Sequence, residues 1–229
     1  MLDKEENRQK IVTIDGPSGV GKSTISRRVA AILSFTYLDT GAMYRAVGLK
    51  LQNSGVELGD DKAVQTCLRM TTISLQPAAT EDDEVTVILD GQDVSQVIRS
   101  PEMSMLASKV SALPAVRKKL TRMQQEIGYG GCIVAEGRDT GTVVFPDAAW
   151  KFYLDADPKE RMQRRARQLR LQGKEVDEGE LLQMIVKRDR DDQTRTIAPL
   201  CRADDAMTID TSALTIDEVV TKMVGVILL

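Results

Sequence analysis

The feature that most constrains this fold is a short apolar segment that runs directly into a glycine-rich turn. Lys10-Ile-Val-Thr-Ile-Asp15 has the length and composition of a buried β-strand, and Gly16-Pro-Ser-Gly-Val-Gly-Lys-Ser23 follows it at once. The turn matches G-x-x-x-x-G-K-[ST] at every fixed position, and residues 22–33 have a helical pattern. A strand, such a turn and a helix in this order predict a loop whose backbone N–H groups converge on an anion.

This phosphate loop predicts a site for the phosphates of a nucleotide, which we expect to be ATP. Lys22 can reach the β- and γ-phosphates, and the Ser23 hydroxyl can ligate Mg²⁺. The alternative, a glycine-rich turn with an exposed lysine, is disfavoured by the strand before the motif and the helix after it. The residues predicted to bind ATP are Gly16, Pro17, Ser18, Gly19, Val20, Gly21, Lys22, Ser23 and Thr24.

Histidine is absent from all 229 residues, which removes whole classes of enzyme. Ser-His-Asp and Cys-His hydrolases, HExxH metalloproteases and histidine proton shuttles all need an imidazole. Phosphoryl transfer does not, because positioning and electrostatic stabilisation carry most of it. Cys67, Cys132 and Cys201 are far apart and form no CxxC pair, which predicts free thiols rather than disulfides or a zinc site.

Charge and hydropathy bear on partners and location. The net charge is -3, whereas a domain that grips nucleic acid is usually basic. Residues 1–10 are charged, unlike a secretory signal, and no apolar run approaches the roughly 18 residues of a membrane span. We therefore expect a cytoplasmic protein that binds neither nucleic acid nor membranes. Because no exposed apolar stripe is evident, we expect a monomer.

Apolar segments that alternate with helical ones predict the fold class. After the first strand, the predicted core strands are 35–38, 132–135, 151–154 and 206–209. About five such strands predict a three-layer α/β fold, in which helices cover both faces of a parallel sheet. Strand-like segments at 71–76 and 84–89, with an Asp90-Gly91 turn, predict a small β-rich insertion.

Two charged clusters follow predicted strands. Leu38-Asp-Thr-Gly-Ala-Met-Tyr-Arg45 opens a helix, and Glu136-Gly-Arg-Asp139 ends another strand. Because ligands collect at the carboxyl ends of parallel strands, both clusters are expected to face the phosphate loop. Taken alone, Arg45 fits a solvated helix arginine better than a ligand-binding one. For the second cluster, the glycines at 137 and 141 favour close approach of a ligand over a simple ion pair.

An arginine-rich stretch follows Asp157-Pro-Lys-Glu160, which has the pattern of a helix start. Most of its cations fit a solvated, salt-bridged helical hairpin with a turn near Gly173. We expect some to line the inner face of a helical lid, because phosphoryl transfer needs cations that close over the phosphates. The arginines of the first helix are Arg161, Arg164, Arg165, Arg167 and Arg170.

In this order the clusters resemble those of the bacterial-type cytidylate kinases, nucleoside monophosphate kinases that phosphorylate CMP and dCMP with ATP. The resemblance runs from about Ile11 to the C-terminal helix. The phosphate loop alone is shared with many families, but the other matching segments together are not. The segments that carry it are Ile14-Asp-Gly-Pro-Ser-Gly-Val-Gly-Lys-Ser23, Leu38 to Arg45, Glu136-Gly-Arg-Asp-Thr-Gly-Thr-Val-Val-Phe-Pro-Asp147, and Arg188 to Leu200.

The resemblance also implies residue roles. Lys22, Arg138 and Arg188 are the implied catalytic residues. A base pocket of Ser108, Arg117 and Asp139 suits cytosine, whose amino group can donate to the carboxylate. The full set of implied substrate-binding residues is Thr40, Tyr44, Arg45, Ser108, Arg117, Arg138, Asp139, Arg188, Asp192 and Arg195.

The same resemblance implies one kinase domain over residues 1–229, in three parts. The core spans about 1–40, 126–157 and 191–229. The acceptor-binding subdomain, with its small β-sheet, is inserted at about 41–125. The lid covers about 158–190.

Other functions stay open on the residues alone. A kinase for UMP, AMP or shikimate would share the phosphate loop, as would a nucleotide switch or ATP-binding regulatory module. A guanine-binding switch is disfavoured because neither Asn7 nor Asn53, the only asparagines, precedes a lysine. A polynucleotide 5′-kinase is disfavoured by the acidic balance of charge.

Overall fold

Eight strands and eight α-helices make up the described part of the computed structural model, which covers residues 10–76, 84–171 and 173–229. The strands are β1 (Ile11–Asp15), β2 (Thr36–Asp39), β3 (Ile73–Gln76), β4 (Thr86–Leu89), β5 (Gln92–Asp93), β6 (Ile133–Gly137), β7 (Trp150–Asp155) and β8 (Met207–Asp210). The helices are α1 (Lys22–Leu33), α2 (Thr40–Asn53), α3 (Asp61–Arg69), α4 (Pro101–Ser111), α5 (Pro114–Gly128), α6 (Pro158–Leu171), α7 (Glu178–Thr194) and α8 (Ile216–Ile227).

A five-stranded parallel sheet forms the centre, in the order β2-β6-β1-β7-β8. All five residues of β1 are buried, and Asp15 lies opposite Gly137 of β6 and Tyr153 of β7. One apolar cluster packs α1 and α8 against the sheet, and another packs α2 and α5 on its other side. The prediction of an α/β fold with a five-stranded parallel sheet is confirmed.

Side-chain caps fix where several helices begin. Ser100 accepts a hydrogen bond from the backbone N–H of Met103, and Pro101 occupies the first turn of α4. Thr215 and Glu218 form the reciprocal capping box predicted for the last helix. Asp39 caps α2 by accepting from the N–H of Ala42, which places this helix directly after β2.

The β-rich insertion forms a second sheet, in the order β3-β4-β5. β3 and β4 pair antiparallel, as the strand-turn pattern predicts, and the short β5 pairs with β4. The sheet packs Val87 and Leu89 against Ala46 and Leu49 of α2. Part of the predicted insertion, residues 77–83, lies outside the described residues, as do residues 1–9.

Helix α3 was not predicted from the sequence. Asp60 caps it, and only Val64 and Leu68 are buried along its nine residues. They pack in the same cluster as α5. Two apolar contacts in a polar segment give a weak periodic signal, so the packing is visible only in the folded chain.

Helices α6 and α7 form the predicted hairpin, with Gly173 at φ 74° in the turn. Met162, Ala166 and Ile185 form a small apolar cluster between the two helices. Helix α7 runs on to Thr194, beyond the boundary of 190 expected for the lid. The division into core, acceptor-binding subdomain and lid stays a prediction.

Among the residues that the structure describes, none of the helices combines the length and the hydropathy of a transmembrane segment. Cys67, Cys132 and Cys201 are free thiols, as their spacing predicts.

A pair of substitutions on α5 tests the packing of this core. Leu120 is fully buried, whereas Ile127 is 41% exposed on the same helix. Replacing Leu120 by Ala should lower the free energy of unfolding by about 2–5 kcal/mol, because the cavity adds to the lost apolar burial. Urea denaturation of Leu120→Ala and Ile127→Ala measures both. An equal loss in the two variants would contradict the assignment of Leu120 to the core.

Candidate functional site

The phosphate loop leaves β1 through a position that only glycine fits. Gly16 has φ 148°, and a Cβ there would lie 2.0 Å from the backbone oxygen of Leu154 on β7. At Gly19, with φ 84°, an added Cβ would lie 3.2 Å from the Cβ of Arg161. The loop is therefore confined between β7 and α6, and Val20 adds its side chain to the core, which leaves only its backbone for a ligand.

Lys22 lies across the loop that precedes it. Its Nζ donates to the carbonyl oxygens of Gly16 at 2.8 Å and Pro17 at 2.6 Å. Burial lowers the pKa of Lys22 well below its ordinary value, and the positive charge of Arg138 adds to that effect. Its ammonium is thus held at the loop in an environment that favours the approach of negative charge.

Three carboxylates lie at the carboxyl ends of three neighbouring strands beside the loop: Asp15 and Asp39 are the last residues of β1 and β2, and Glu136 is the penultimate residue of β6. Sequence reasoning did not single out Asp15, although a buried acid directly before the glycine-rich turn is a readable signal. It accepts from the N–H and hydroxyl of Thr140 and from the N–H of Gly141, at 2.7–2.9 Å. Burial raises its pKa, although these hydrogen bonds act in the opposite direction. Asp15 thus fixes the turn after Arg138 and Asp139.

Glu136 faces the metal-binding hydroxyl expected from the motif. Its Oε1 accepts from Ser23 at 2.8 Å and from the Tyr37 hydroxyl at 2.9 Å. Its Oε2 is buried and has no hydrogen-bond partner in the described part of the chain. Burial and the nearby charge of Asp39 raise the pKa of Glu136. A carboxylate oxygen is thus free beside a serine hydroxyl at the start of α1.

Three arginines come together above the loop, and each is held by a different partner. Arg45 pairs with Asp39 at 3.0 Å, and Arg138 pairs with Asp192 of α7 at 3.0 Å. Arg188 of α7 lies 3.5 Å from the Ser18 hydroxyl. Burial lowers the pKa of Arg188 to about 10, and the like charges of Arg138 and Arg45 contribute. The arrangement concentrates positive charge that the protein itself only partly neutralises.

A second group of charged residues lies between α5, α7 and the turn after β6. Arg117 donates to both carboxylate oxygens of Asp139, at 2.8 and 3.3 Å, and to the Tyr44 hydroxyl at 3.3 Å. Its guanidinium carbon also lies 5.6 Å from the centre of the Tyr44 ring. Arg195 donates to Asp139 at 3.4 Å and to Ser111 at 3.0 Å. Asp139 is therefore a buried carboxylate oriented by two guanidinium groups.

The remaining expected substrate residues border this group. Ser108 donates to Asp192 at 3.1 Å, so helix α4 and the hairpin helix α7 meet at one carboxylate. The Thr40 hydroxyl donates to the carbonyl of Glu136 at 2.6 Å, which ties the start of α2 to the end of β6. The roles assigned to all these residues stay predictions, as do those of Pro17 and Thr24 in the loop.

A cavity of about 270 Å³ opens on the other side of the phosphate loop. Arg164 borders it and donates to the carbonyl oxygens of Thr211 and Ser212, at 2.5 and 3.2 Å. Sequence reasoning did not assign this cavity, because its walls come from three separate segments. The residues that line it are Val20, Gly21, Ile25, Arg164, Thr211, Leu214, Thr215, Ile216 and Val219.

Comparison with known proteins agrees with this geometry. A family model described as cytidylate kinase matches residues 12–228. The cytidylate kinase of Carboxydothermus hydrogenoformans is 46% identical, over 94% of this chain and 96% of its own length. That of Syntrophotalea carbinolica is 46% identical, over 96% of this chain and 93% of its own. The bifunctional pantoate ligase/cytidylate kinase of Prochlorococcus marinus is 47% identical, over 95% of this chain but 43% of its own.

The chain is also similar to a solved structure, but at this low sequence identity the similarity shows only a shared fold. The crystal structure of an uncharacterised protein from Eubacterium ventriosum aligns with a TM-score of 0.51 and 11% identity, over 96% of this chain and 98% of that one.

The buried pairing of Asp192 predicts a pH dependence of stability. Burial alone would raise its pKa, but Arg138, Arg188 and Arg195 lower it below the ordinary value. Ionised Asp192 therefore stabilises the fold above the pKa of unfolded aspartate, near 3.9, and this contribution is lost as the pH falls through the lower folded-state pKa. Asp192→Asn should lower the free energy of unfolding by about 1–3 kcal/mol at pH 7. The deficit should shrink below about pH 4.

Urea denaturation from pH 3 to 7 measures this difference. Asp191→Asn is the matched control, since Asp191 is exposed on the same helix and should change the free energy of unfolding by less than about 0.5 kcal/mol. A deficit in Asp192→Asn that stays constant or grows as the pH falls would refute the assignment.

Proposed function

The chain belongs to the cytidylate kinase family, and we propose that the residues around its phosphate loop transfer the γ-phosphoryl group of ATP to CMP and dCMP. The observation that carries these residue roles is the group of three arginines that converges with Lys22 at the loop. Arg45, Arg138 and Arg188 come from three different segments, and Lys22 is buried while Arg188 is half-buried. Such preorganised charge is what a transferring phosphoryl group requires.

The proposed reaction is a direct in-line transfer without a covalent enzyme intermediate. The loop amides and Lys22 hold the donor phosphates, while Arg138 and Arg188 neutralise charge on the transferring γ-phosphoryl group. Arg45 holds the acceptor phosphate. An acceptor phosphate oxygen is already anionic, so no strong general base is needed. This agrees with a chain that contains no histidine.

The oriented carboxylate of Asp139 supports the choice of base. Both of its oxygens accept hydrogen bonds from arginine, and the 4-amino group of cytosine can donate to such an acceptor. Uracil would place a carbonyl oxygen there instead. A buried acceptor opposite another acceptor costs roughly 1–3 kcal/mol, which favours CMP and dCMP over UMP.

The cavity beside the loop suits the base of the donor nucleotide. Ile25, Leu214 and Ile216 give it apolar walls, and the Arg164 guanidinium borders it. A flat aromatic base gains both from apolar contact and from a cation over its face. We assign this cavity to the adenine of ATP.

The residues at the start of α1 fit a magnesium ion. The described residues contain no group of three or more Asp, Glu, Cys or His that could hold a metal alone. Mg²⁺ usually takes only one or two protein ligands and otherwise binds water and substrate phosphates. The Ser23 hydroxyl would be one ligand, and the unpartnered Oε2 of Glu136 would accept from a bound water. When bound, the ion neutralises charge on the donor phosphates.

We further propose that the protein is a cytoplasmic monomer that uses neither nucleic acid nor membranes as partners. Its free cysteines and net charge of -3 support this assignment. A kinase for UMP, AMP or shikimate, or a nucleotide switch, has no comparable observation in its favour.

An acceptor panel tests the proposed function. ATP consumption should be fast with CMP and dCMP and slower by about 5- to 100-fold with UMP, because the mismatch at Asp139 costs roughly 1–3 kcal/mol. AMP and GMP should be poorer still. Lys22→Ala serves as the catalytic control and should lose turnover by orders of magnitude with its fold intact. Fast turnover with UMP or AMP would overturn the base pocket, and slow hydrolysis indifferent to acceptor would overturn the kinase assignment.

A magnesium titration tests the metal site. In Glu136→Gln, the Mg²⁺ concentration that gives half-maximal activity should rise about tenfold, because an outer carboxylate that orients the ion's ligands is lost. Glu126→Gln is the control, since Glu126 is an exposed glutamate on α5 that pairs with Arg122. An unchanged Mg²⁺ requirement in Glu136→Gln would remove Glu136 from the site.

A further inference from the structure

Arg161 lies on the hairpin helix α6 but, unlike Arg188 of α7, is turned into the protein rather than toward the phosphate site. Its side chain is buried, at 3% exposed, and every nitrogen of its guanidinium is engaged by the protein. Nε donates to the carbonyl of Ala156 at 3.0 Å, and Nη1 donates to the carbonyl of Ser18 at 3.1 Å. Nη2 pairs with Asp189 of α7 at 2.6 Å. One side chain thus joins the loop, the start of α6 and the second helix of the hairpin.

The contact between Arg161 and the Ser18 carbonyl orients a backbone N–H of the phosphate loop, because the peptide group is planar. In a trans peptide, the carbonyl of one residue and the N–H of the next point in opposite directions. The Ser18 carbonyl is held toward Arg161, so the Gly19 N–H of the same peptide is turned toward the other side of the loop. Gly19 has a left-handed φ of 84° and so little intrinsic preference for this orientation over others. An external contact is therefore needed to fix it.

Asp189 links this contact to the hairpin. Arg161 is its ion-pair partner in the described part of the chain, and its neighbour Arg188 reaches the Ser18 hydroxyl at 3.5 Å. Ser18 is thus contacted twice by consecutive residues of α7, directly through Arg188 and indirectly through Asp189 and Arg161. A displacement of α7 would move both contacts together.

We propose that Arg161 is a positioning residue for ATP, held in place by Asp189, which sets the Ser18–Gly19 peptide so that its N–H faces the donor phosphates. The pair also makes the geometry of the phosphate loop depend on the position of the hairpin. This inference rests on the proposed function only in that the loop binds ATP. It concerns donor binding and is independent of the acceptor.

An apolar replacement of the pair separates positioning from stability. Exchanging a buried ion pair for apolar residues of similar volume is often neutral or stabilising for a fold. The double variant Arg161→Met/Asp189→Leu should therefore stay folded with only a modest fall in its thermal midpoint, because the Ser18 and Ala156 carbonyls lose their donor. Calorimetric titration with MgATP, without acceptor, should show about tenfold weaker binding, while the KM for CMP at saturating ATP changes less than about twofold.

A conservative variant guards against misfolding. Arg161→Lys keeps the charge beside Asp189, but a single ammonium lacks the planar fork that reaches three partners, so it should also weaken MgATP binding severalfold. Arg170→Gln is the matched control. Arg170 pairs with Glu178 across the same two helices at 2.7 Å but is exposed and far along the hairpin, so ATP binding should be unchanged.

A stable double variant that binds MgATP like the wild type would reduce Arg161 to a packing residue and overturn the proposal, as would equal weakening in Arg170→Gln. A wild-type protein that binds MgATP but fails the acceptor panel would instead refute the proposed acceptor and leave this inference standing.

Discussion

The close contact of Gly16 with the Leu154 carbonyl is the constraint on which the site depends. Because β1 and β7 are neighbouring parallel strands, the chain leaving β1 must turn over the end of β7, and there is no room for a Cβ at the turn. The loop is consequently pressed against α6, where Arg161 holds it. The order of the strands, the shape of the loop and the position of α6 therefore depend on one another.

Charge compensation explains how so many ionised groups can be buried together. Asp139 and Asp192 alternate with Arg117, Arg195 and Arg138 in a chain of pairs, so each carboxylate meets at least one guanidinium. An unpaired charge in that position would cost several kcal/mol. The pairs also cross between separate parts of the fold, because Asp192 lies on the hairpin and Arg117 lies on α5. Polar contacts, more than apolar ones, therefore determine how these parts meet around the site.

The sequence predicts the local parts of this structure well and the long-range parts poorly. The phosphate motif, the caps at Ser100 and Thr215 and the parallel sheet follow from patterns within a few residues, and the structure confirms them. Helix α3 was not predicted because it has only two buried residues, and they are buried by packing in the same cluster as α5, which the local sequence does not encode. The roles of Asp15 and Arg161 escaped prediction for a similar reason. Each acts on a segment more than a hundred residues away, and no local spacing encodes such a contact.

Two cations at the site, Lys22 and Arg188, have no carboxylate partner among the described residues, and this lowers the stability of the fold at these positions. The buried Lys22 donates to two backbone carbonyls, and the half-buried Arg188 has, within the described residues, one long contact with a hydroxyl. Their lowered pKa values mean that the protein alone stabilises their charged forms less than water does. An incoming triphosphate would reverse that sign, since anionic oxygens favour the charged forms of all the surrounding cations. Cations that are poorly stabilised in the free protein gain more from binding a phosphate group. The burial that weakens the fold at these positions therefore also strengthens the binding of phosphate.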